Sequence, residues 1–331
     1  MLARIEVRDP RVLLGPRVGA DAALIDYGDR ILVAKTDPIT FATELIGWYA
    51  VHVNANDVAC MGTRPRWFLA TLLLPEGAPA SQAEAIFDQI VGACHSLEVT
   101  LVGGHTEVTY SLPRPIIVGC MLGEVAAGRQ VDSRKARPGD AIVLTAGIAI
   151  EGTALLAREA AGKLLMNGVP QSVIESAKAL LFTPGISVVR AALIACENCD
   201  VHALHDPTEG GLATALHELA HATALGVVVQ QERITVLPAT RSMCAALGLD
   251  PLGLLASGAL LIAVPPGGLT PLLAALSAAD VAAQAIGVLR PASEGVRLMT
   301  GGQATPLPTF ERDELARFFA SQAPHGPPHG S

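Results

Sequence analysis

Polar residues interrupt an apolar, helix-like pattern near residue 57. Asn54, Asn56 and Asp57 lie in a segment, residues 51–62, whose apolar residues recur at the spacing of an α-helix. At 3.6 residues per turn, Asp57 shares a helical face with Val53. An ionised carboxylate on a packed face needs a positive partner or a metal ion, because its burial is otherwise costly. The alternative is a helix end whose polar residues face solvent.

Four other segments place acidic residues where a strand is expected to meet a turn. Pro38 keeps Asp37 from continuing into a helix, so Asp37 lies at the exit of a strand. Two glycine pairs would let backbone amides approach an anion, and the second pair would also expose the N-terminus of a helix. Capping of that helix by Asp206 or Thr208 is the alternative for the second pair. The residues concerned are Asp21, Asp37, Gly103 and Gly104 with His105, Thr106 and Glu107, and Asp206 with Gly210 and Gly211.

This set of acids predicts a site for Mg²⁺ and a nucleoside triphosphate. Hard divalent cations bind through one or two carboxylates together with water and phosphate oxygens. The sequence contains neither GxxxxGK[ST] nor a GxGxxG motif after a strand. A P-loop and a Rossmann nucleotide site are therefore excluded, and the nucleotide site must be of another kind.

Composition restricts the classes of partner. The chain has 331 residues, half of them hydrophobic, which favours two domains with a sizeable core. The formal net charge is −8, and no run of Lys or Arg could follow a phosphate backbone, so nucleic acid is not expected to bind. Gly, Pro or charged residues cut every apolar stretch before about eighteen residues, and no signal-peptide pattern begins the sequence. We therefore expect a cytoplasmic protein that does not enter a membrane.

The six cysteines lie mostly in apolar segments, where cysteine behaves as a small hydrophobic residue. Only Cys196 and Cys199 have the spacing of metal ligands, and alone they would make half of a zinc site unless His202 or His205 joined them. A structural role for this pair is the alternative, and it is the interpretation we favour.

Alternating apolar patterns predict a mixed α/β protein of two domains. A polar segment, residues 128–140, predicts a boundary near residue 137, giving domains 1–137 and 138–310, followed by a helix end and disordered tail in 311–331. We expect strands at 31–36, 67–74, 99–102, 116–124, 141–145, 200–204, 226–230, 258–264, 283–289 and 296–299. We expect helices at 44–60, 81–96, 152–160, 172–181, 187–196, 211–223, 239–247 and 269–277.

Three motifs together resemble the aminoimidazole ribonucleotide (AIR) synthetase, or PurM-like, superfamily. They are Thr36-Asp37-Pro38, the segment 53–59 followed by Met61-Gly62, and the segment 206–212. Their order and sequence are most similar to the HypE branch of that superfamily. The resemblance extends over about residues 15–300.

The resemblance implies an N-terminal α/β domain that forms a dimeric β-barrel with a second copy, and a C-terminal α/β domain beside it. ATP would bind in the cleft between the domains, largely at the dimer interface. It also implies three sets of residues, which bind metal, take part in catalysis or contact the nucleotide. Asn54 and Asn56 would orient phosphates or the metal-binding carboxylates. The metal ligands would be Asp21, Asp37 and Asp57; the catalytic residues Asp57 and Glu107; and the nucleotide contacts Asn54, Asn56, Gly103, Gly104, Thr106, Asp206, Gly210 and Gly211. His105 stands where several relatives have Asp; we add it to the catalytic candidates as a base or phosphate contact, and a hydrogen-bonding role in the core is the alternative.

The implied activity is Mg²⁺- and ATP-dependent phosphorylation of a small molecule, or activation of its amide oxygen, by a homodimer. A non-catalytic nucleotide-binding partner or scaffold in a maturation pathway is the alternative. Three further sequence differences from relatives bear on the choice between enzyme and scaffold without deciding it. Ala20 replaces the first of two paired aspartates, Glu151 lies in a loop where relatives carry Gly-Asp, and Cys244 is the last cysteine where the HypE branch carries one at its C-terminus. HypE-type chemistry would then require a thiol on a separate molecule.

Overall fold

The computed structural model describes residues 5–16, 21–40 and 44–322. Its strands are β1 (Val12–Leu14), β2 (Ala23–Asp26), β3 (Arg30–Ile39), β4 (Pro65–Pro75), β5 (Thr100–Thr109), β6 (Ile116–Ala126), β7 (Ala141–Thr145), β8 (Ala203–His205), β9 (Gly226–Gln230), β10 (Leu261–Val264), β11 (Ala283–Arg290), β12 (Val296–Thr300) and β13 (Gln303–Pro306). Its helices are α1 (Ile46–Cys60), α2 (Ala80–Ser96), α3 (Ile150–Glu159), α4 (Ala161–Met166), α5 (Gln171–Ala179), α6 (Val189–Asn198), α7 (Gly211–Thr223), α8 (Pro238–Leu247), α9 (Leu269–Ala278) and α10 (Glu314–Gln322).

The first six strands form one sheet, in the order β1-β2-β3-β6-β4-β5. Strands β3 and β6 pair antiparallel over ten residues, whereas β4 and β5 are parallel. Helix α1 packs against β3, β6 and α2. It is apolar on nearly all sides, as expected of a helix that the fold encloses, and thirteen of its fifteen residues are buried.

The remaining strands form a second sheet, in the order β13-β12-β9-β11-β7-β10-β8. Neighbouring strands run antiparallel except β9 and β12. The short strand β8 is at the edge of this sheet and carries His205 at its end. Together the two sheets confirm the predicted mixed α/β architecture; the domain boundary near residue 137 stays a prediction.

One apolar core connects the two sheets. It includes Phe68 and Met121 from the first sheet, Val143 and Ile262 from the second, and Ala192 of α6 between them. Each of these side chains is fully buried. The two halves of the chain are therefore packed as one body around the groove that holds the site.

Among the described residues, one stretch, 171–198, is long and apolar enough to cross a membrane, judged by length and composition alone. The structure divides it into α5 and α6, because Thr183 has non-helical backbone angles beside Pro184. A single spanning helix needs about 20 consecutive residues, and neither piece reaches that length. Helix α6 packs instead against α1 and α9.

Most predicted elements are present, and the bounds predicted for β7, β9 and α7 match the structure. The prediction that a strand ends at Val102 is wrong, because β5 continues through Gly103 and Gly104 to Thr109. The pattern also missed β1, β2, β13 and α4, whereas α10 lies in the region expected to hold a helix end. Ser321 and Gln322 of the predicted tail are helical, and the remainder of that tail, residues 323–331, lies outside the described residues.

Candidate functional site

The buried helix α1 and the strand β3 bring two of the predicted acids together. Asp57 lies in the last turn of α1 and is 5% exposed, while Asp37 lies near the end of β3. Lys35, two residues before Asp37, places its Nζ atom 3.1 Å from Oδ2 of Asp57 and 3.3 Å from Oδ2 of Asp37. The positive partner that the buried acid required is therefore Lys35.

Asp21 and Asp206 approach the same groove from the other side. His205 Nδ1 lies 3.1 Å from Oδ1 of Asp21, and its Nε2 lies 2.9 Å from Oε2 of Glu218 on α7. Asp206 follows β8 directly, and its Oδ1 accepts a hydrogen bond of 3.4 Å from Sγ of Cys60. The predicted acids Asp21, Asp37, Asp57 and Asp206 thus line one cleft of about 540 Å³.

The cleft is strongly acidic. Seven carboxylic acids line it, against one lysine and one histidine among the described residues: Asp21, Asp37, Asp57, Glu151, Asp206, Glu209 and Glu218, against Lys35 and His205. Burial would lower the pKa of Lys35, but Asp57 and Asp37 raise it above its ordinary value. Burial likewise opposes the charge on His205, yet Asp21 and Glu218 raise its pKa well above the usual range. Both basic groups are therefore cationic at neutral pH.

The acids of the cleft suppress one another's ionisation. Burial and the neighbouring Asp206 raise the pKa of Asp57 well above its ordinary value. Burial and Asp21 raise the pKa of Asp206 to about 7. Such shifts are typical of sites that bind cations, since an added positive charge would let these carboxyl groups ionise.

Glu151 is a further buried acid in this cleft. It lies in the first turn of α3, and burial raises its pKa to about 7, an effect that a hydrogen bond with Ser257 partly offsets. A carboxyl group with a pKa near the working pH can both accept and release a proton. Glu151 can therefore act as an acid or base toward a ligand in the cleft.

The side chains of Asn54 and Asn56, the two asparagines of α1, form hydrogen bonds with backbone groups of other segments. Asn54 accepts a hydrogen bond of 2.9 Å from the N–H of Asp37 and donates one of 3.3 Å to the carbonyl of the same residue. Asn56 donates to the carbonyl of Ile186 at 2.8 Å and accepts from the N–H of Val188 at 2.9 Å. Asn54 thus holds the carboxylate-bearing segment of β3. Asn56 joins the two halves of the chain, and both ends of its amide are engaged with backbone. The nucleotide contacts of both asparagines stay predictions.

Gly210 and Gly211, the glycine pair before α7, do not leave the N-terminus of this helix open to an anion. The N–H of Gly210 donates a hydrogen bond of 2.7 Å to Oδ2 of Asp313, a carboxylate that already occupies this helix N-terminus. A Cβ on Gly211 would collide with the carbonyl oxygen of Leu252. Both glycines have positive φ. Backbone conformation and close packing therefore explain this pair.

The segment of residues 103–107 lies outside the cleft of its own chain. It belongs to β5, at the edge of the first sheet, and the side chains of His105 and Glu107 are 68% and 61% exposed. A Cβ on Gly104 would collide with the carbonyl oxygen of Ala70 on β4, so this glycine permits close strand pairing. Within one chain, Gly103, Gly104, His105, Thr106 and Glu107 are thus not brought to the acids.

Sequence reasoning overlooked several residues of the cleft. Lys35 could have been found, because residues two apart in a strand share a face and Lys35 therefore accompanies Asp37. Glu218 and Cys60 gave no such signal, since their partners are distant along the chain. Gly19 and Ala20, in the first acidic segment, lie outside the described residues.

The Cys196–Cys199 pair is separate from this cleft. Both cysteines line a different depression, of about 470 Å³, with Arg129 and Lys135. His202, one of the proposed additional ligands, places Nδ1 2.7 Å from Oδ2 of Asp140, and His205 is engaged with Asp21 and Glu218. Neither histidine lines the depression that holds this cysteine pair.

Two family models match the chain. AIR synthase related protein, N-terminal domain, matches residues 19–125, and AIR synthase related protein, C-terminal domain, matches residues 137–298. Together these segments cover most of the 331 residues, in the order expected from the motifs.

Among curated proteins, the chain is similar to carbamoyl dehydratase HypE of Cupriavidus necator. The two are 31% identical over 271 residues, which cover 78% of this chain and 73% of that protein. Among solved structures, it is similar to the hydrogenase maturation protein HypE in complex with ATP, with a TM-score of 0.70, 27% identity, and coverage of 91% of this chain and 92% of that one. A HypE–HypF complex matches in fold with a TM-score of 0.73 at 23% identity, over 88% of this chain and 94% of that chain. HypE proteins are among the relatives of this chain, and the chain belongs to the AIR synthase related, PurM-like family.

Proposed function

We propose that this protein is an ATP- and Mg²⁺-dependent enzyme that activates an amide oxygen by phosphoryl transfer. The observation that carries the proposal is the convergence of Asp21, Asp37, Asp57 and Asp206 on one cleft. The comparisons support it, because similar proteins are named carbamoyl dehydratase and one was solved with ATP.

The donor set of the cleft fits Mg²⁺. A triphosphate cannot enter a groove lined by seven carboxylic acids unless cations offset the repulsion, and Lys35 and His205 already pair with acids. Asp21, Asp37 and Asp57 would hold Mg²⁺, which when bound neutralises charge on the phosphate oxygens.

The residues of the chain align the reactants and handle protons. Asn54 fixes the backbone of Asp37, and Lys35 holds the carboxylates of Asp37 and Asp57 close together. Phosphoryl transfer needs mainly alignment and charge neutralisation, so the chain requires no dedicated nucleophile. Glu151, on the far wall of the cleft, would accept the proton that an amide loses as its oxygen becomes bonded to phosphorus.

A primary carboxamide is the acceptor class that we propose. The amide oxygen attacks the terminal phosphorus and ADP leaves. Loss of the phosphate and of both N–H protons then gives a nitrile, with water formally removed and carried away in phosphate. This balance matches the dehydration named for the similar HypE proteins.

We further propose that the active form is a homodimer in the cytoplasm and that it works in a maturation pathway. Strand β5 is ten residues long and forms an edge of its sheet. Val102 and Val108 within it and Tyr110 just after it are exposed. A long uncovered edge of this kind favours pairing with another strand. A second copy there would give His105, Thr106 and Glu107 a route to a cleft that they do not reach in their own chain.

The test measures ADP release from ATP with and without a primary carboxamide, in the presence of Mg²⁺. We expect release that depends on the carboxamide and that falls by about a hundredfold or more in Asp57→Asn. Asp88→Asn, on the exposed face of α2, is the matched control and should keep full activity. If only hydroxyl compounds stimulated ADP release, the acceptor would be an alcohol, as for a kinase, and not an amide. Nucleotide binding without turnover would favour the alternative, a non-catalytic partner or scaffold in a maturation pathway.

A further inference from the structure

A buried thiol lies beside two of the carboxylates of the cleft, next to a second cavity. Cys60 ends α1, and its Sγ, one carboxylate oxygen of Asp21 and one of Asp206 all lie within 4.8 Å of one another. Cys60 and Asp206 are 1% and 2% exposed. One sulfur and two oxygen donors therefore converge from three separate segments of the chain.

Asp206 gives an independent indication of a missing ligand. Its Oδ1 accepts the hydrogen bond from Cys60, but its Oδ2 is buried and has no hydrogen-bond partner. Among the described residues, no basic side chain lies within ion-pair distance of Asp206, in contrast to Asp57, which Lys35 neutralises. Leaving a buried carboxylate oxygen unsatisfied is costly, so the site is incomplete as it stands.

Asp21 is held in place from behind. His205 contacts its carboxylate, and the other ring nitrogen of His205 contacts Glu218. Charged groups that grip a carboxylate in this way fix its orientation and are a regular accompaniment of metal ligands. The hydrogen bonds leave the carboxylate in contact with both the cleft and a second cavity.

That second cavity would supply the open coordination position. It has a volume of about 370 Å³ and is lined by Asp21 and Cys60, together with Met61, Gln130 and Arg134. Three protein ligands with access to a cavity are typical of metal sites that also take water or a small ligand.

We propose that Asp21, Cys60 and Asp206 form a binding site for a divalent transition metal of the Zn²⁺ type. A thiolate ligand favours such metals over Mg²⁺, which prefers oxygen ligands alone. On binding, the S–H bond of Cys60 breaks, its proton leaves to the buffer, and a metal–sulfur bond forms without change of oxidation state. The site differs from the Mg²⁺ position proposed beside Asp37 and Asp57, although both share Asp21. It does not depend on nucleotide turnover.

The test is a Co²⁺ titration of the metal-free full chain without nucleotide, followed by absorption. We expect a thiolate-to-cobalt charge-transfer band in the near ultraviolet that saturates at one Co²⁺ per chain and is suppressed by Zn²⁺ but not by excess Mg²⁺. Cys60→Ser should abolish the band. The double variant Cys196→Ser/Cys199→Ser should keep it, because that pair lies in another depression.

Asp206→Asn supplies a second variant in case Cys60→Ser fails to fold, with thermal unfolding of each variant as the check. It should keep the band but weaken Co²⁺ binding by about 10- to 100-fold. Absence of a thiolate band in the unaltered protein, its survival in folded Cys60→Ser, or its loss in the Cys196/Cys199 variant would overturn the proposal. None of these results bears on carboxamide-dependent ADP release, so the two proposals fail separately.

Discussion

Lys35 and Asp57 form a buried ion pair, with Nζ 3.1 Å from Oδ2, that joins strand β3 to helix α1. The side chain of Lys35 is 21% exposed and that of Asp57 is 8% exposed, so water screens the pair only partly. The same ammonium group lies 3.3 Å from Asp37. One lysine therefore holds two of the proposed metal ligands close together in the absence of a metal.

Lys35→Met should destabilise the protein and increase its response to Mg²⁺. Removing the cation leaves Asp57 buried without a partner, which we expect to lower the free energy of unfolding by about 3 kcal/mol. Added Mg²⁺ can take over part of the neutralisation, so the melting temperature should rise more with MgCl₂ than in the unaltered protein. Differential scanning fluorimetry measures both. Lys178→Met, which removes an exposed lysine paired with Glu175, is the control. Equal Mg²⁺ responses in both variants would exclude this explanation.

Asn56→Ala should weaken the seam between the two halves of the chain. The substitution leaves the buried carbonyl of Ile186 and the N–H of Val188 without their side-chain partner. We expect a loss of about 2–4 kcal/mol in the free energy of unfolding by urea. Asn198→Ala removes one exposed hydrogen bond at the end of α6 and should cost far less. The interpretation fails if both variants lose similar amounts.

His52 should make stability depend on pH. Burial lowers its pKa from the ordinary value of 6.5 to about 4, despite the hydrogen bond with the carbonyl of Trp48. Between pH 6.5 and 4 the unfolded chain therefore binds a proton that the folded chain does not, and stability falls as the pH falls.

The variant His52→Gln lacks this ionisation. The unaltered protein should lose about 3 kcal/mol more than the variant on going from pH 7 to pH 4, and the two should show parallel profiles above pH 7. Urea unfolding at a series of pH values measures the difference. Parallel profiles over the whole range would show that His52 does not titrate as expected.

Val108→Lys should separate the proposed homodimer. Val108 is 56% exposed on the edge strand β5, and a lysine there would place a charge in a strand-to-strand interface. We expect the molar mass from light scattering to fall from that of two chains to that of one. Met166→Lys changes another exposed apolar residue, at the end of α4, and should leave the mass unchanged. A monomeric unaltered protein would remove the dimer proposal altogether.

Glu151→Gln should reduce carboxamide-dependent turnover by about a hundredfold, because general acid–base catalysis contributes at least that much. If Glu151 accepts a proton, activity should rise with pH through about 7, the value to which burial raises its pKa. Ser257→Ala removes a hydrogen bond that lowers this pKa, so the rise should move to higher pH. A pH profile that Ser257→Ala leaves unchanged would assign the rise to another group.

Asp37, Asp57 and Asp206 were predictable because each stands beside Pro or Asn, and Asp21 because Gly19 lies two residues before it. The partners of those acids were not, since the contact between His205 and Asp21 joins residues 184 positions apart. The strand through Gly103 and Gly104 was missed for a physical reason: a missing Cβ permits a turn or, as at Gly104, the close approach of two strands, and sequence alone does not distinguish them. Strands β1 and β2 were missed because they are short and β1 is only partly buried.

The continuous core beneath the cleft limits how the protein can move. Opening the groove as a hinge would separate α1 from α6 and expose side chains such as Phe68, Ala192 and Ile262, which are fully buried. Exposing that much apolar surface is unfavourable, at about 25 cal/mol for each Å². The walls of the groove are therefore rigid relative to each other. A nucleotide must enter and leave through rearrangement of side chains and loops at the rim of the groove.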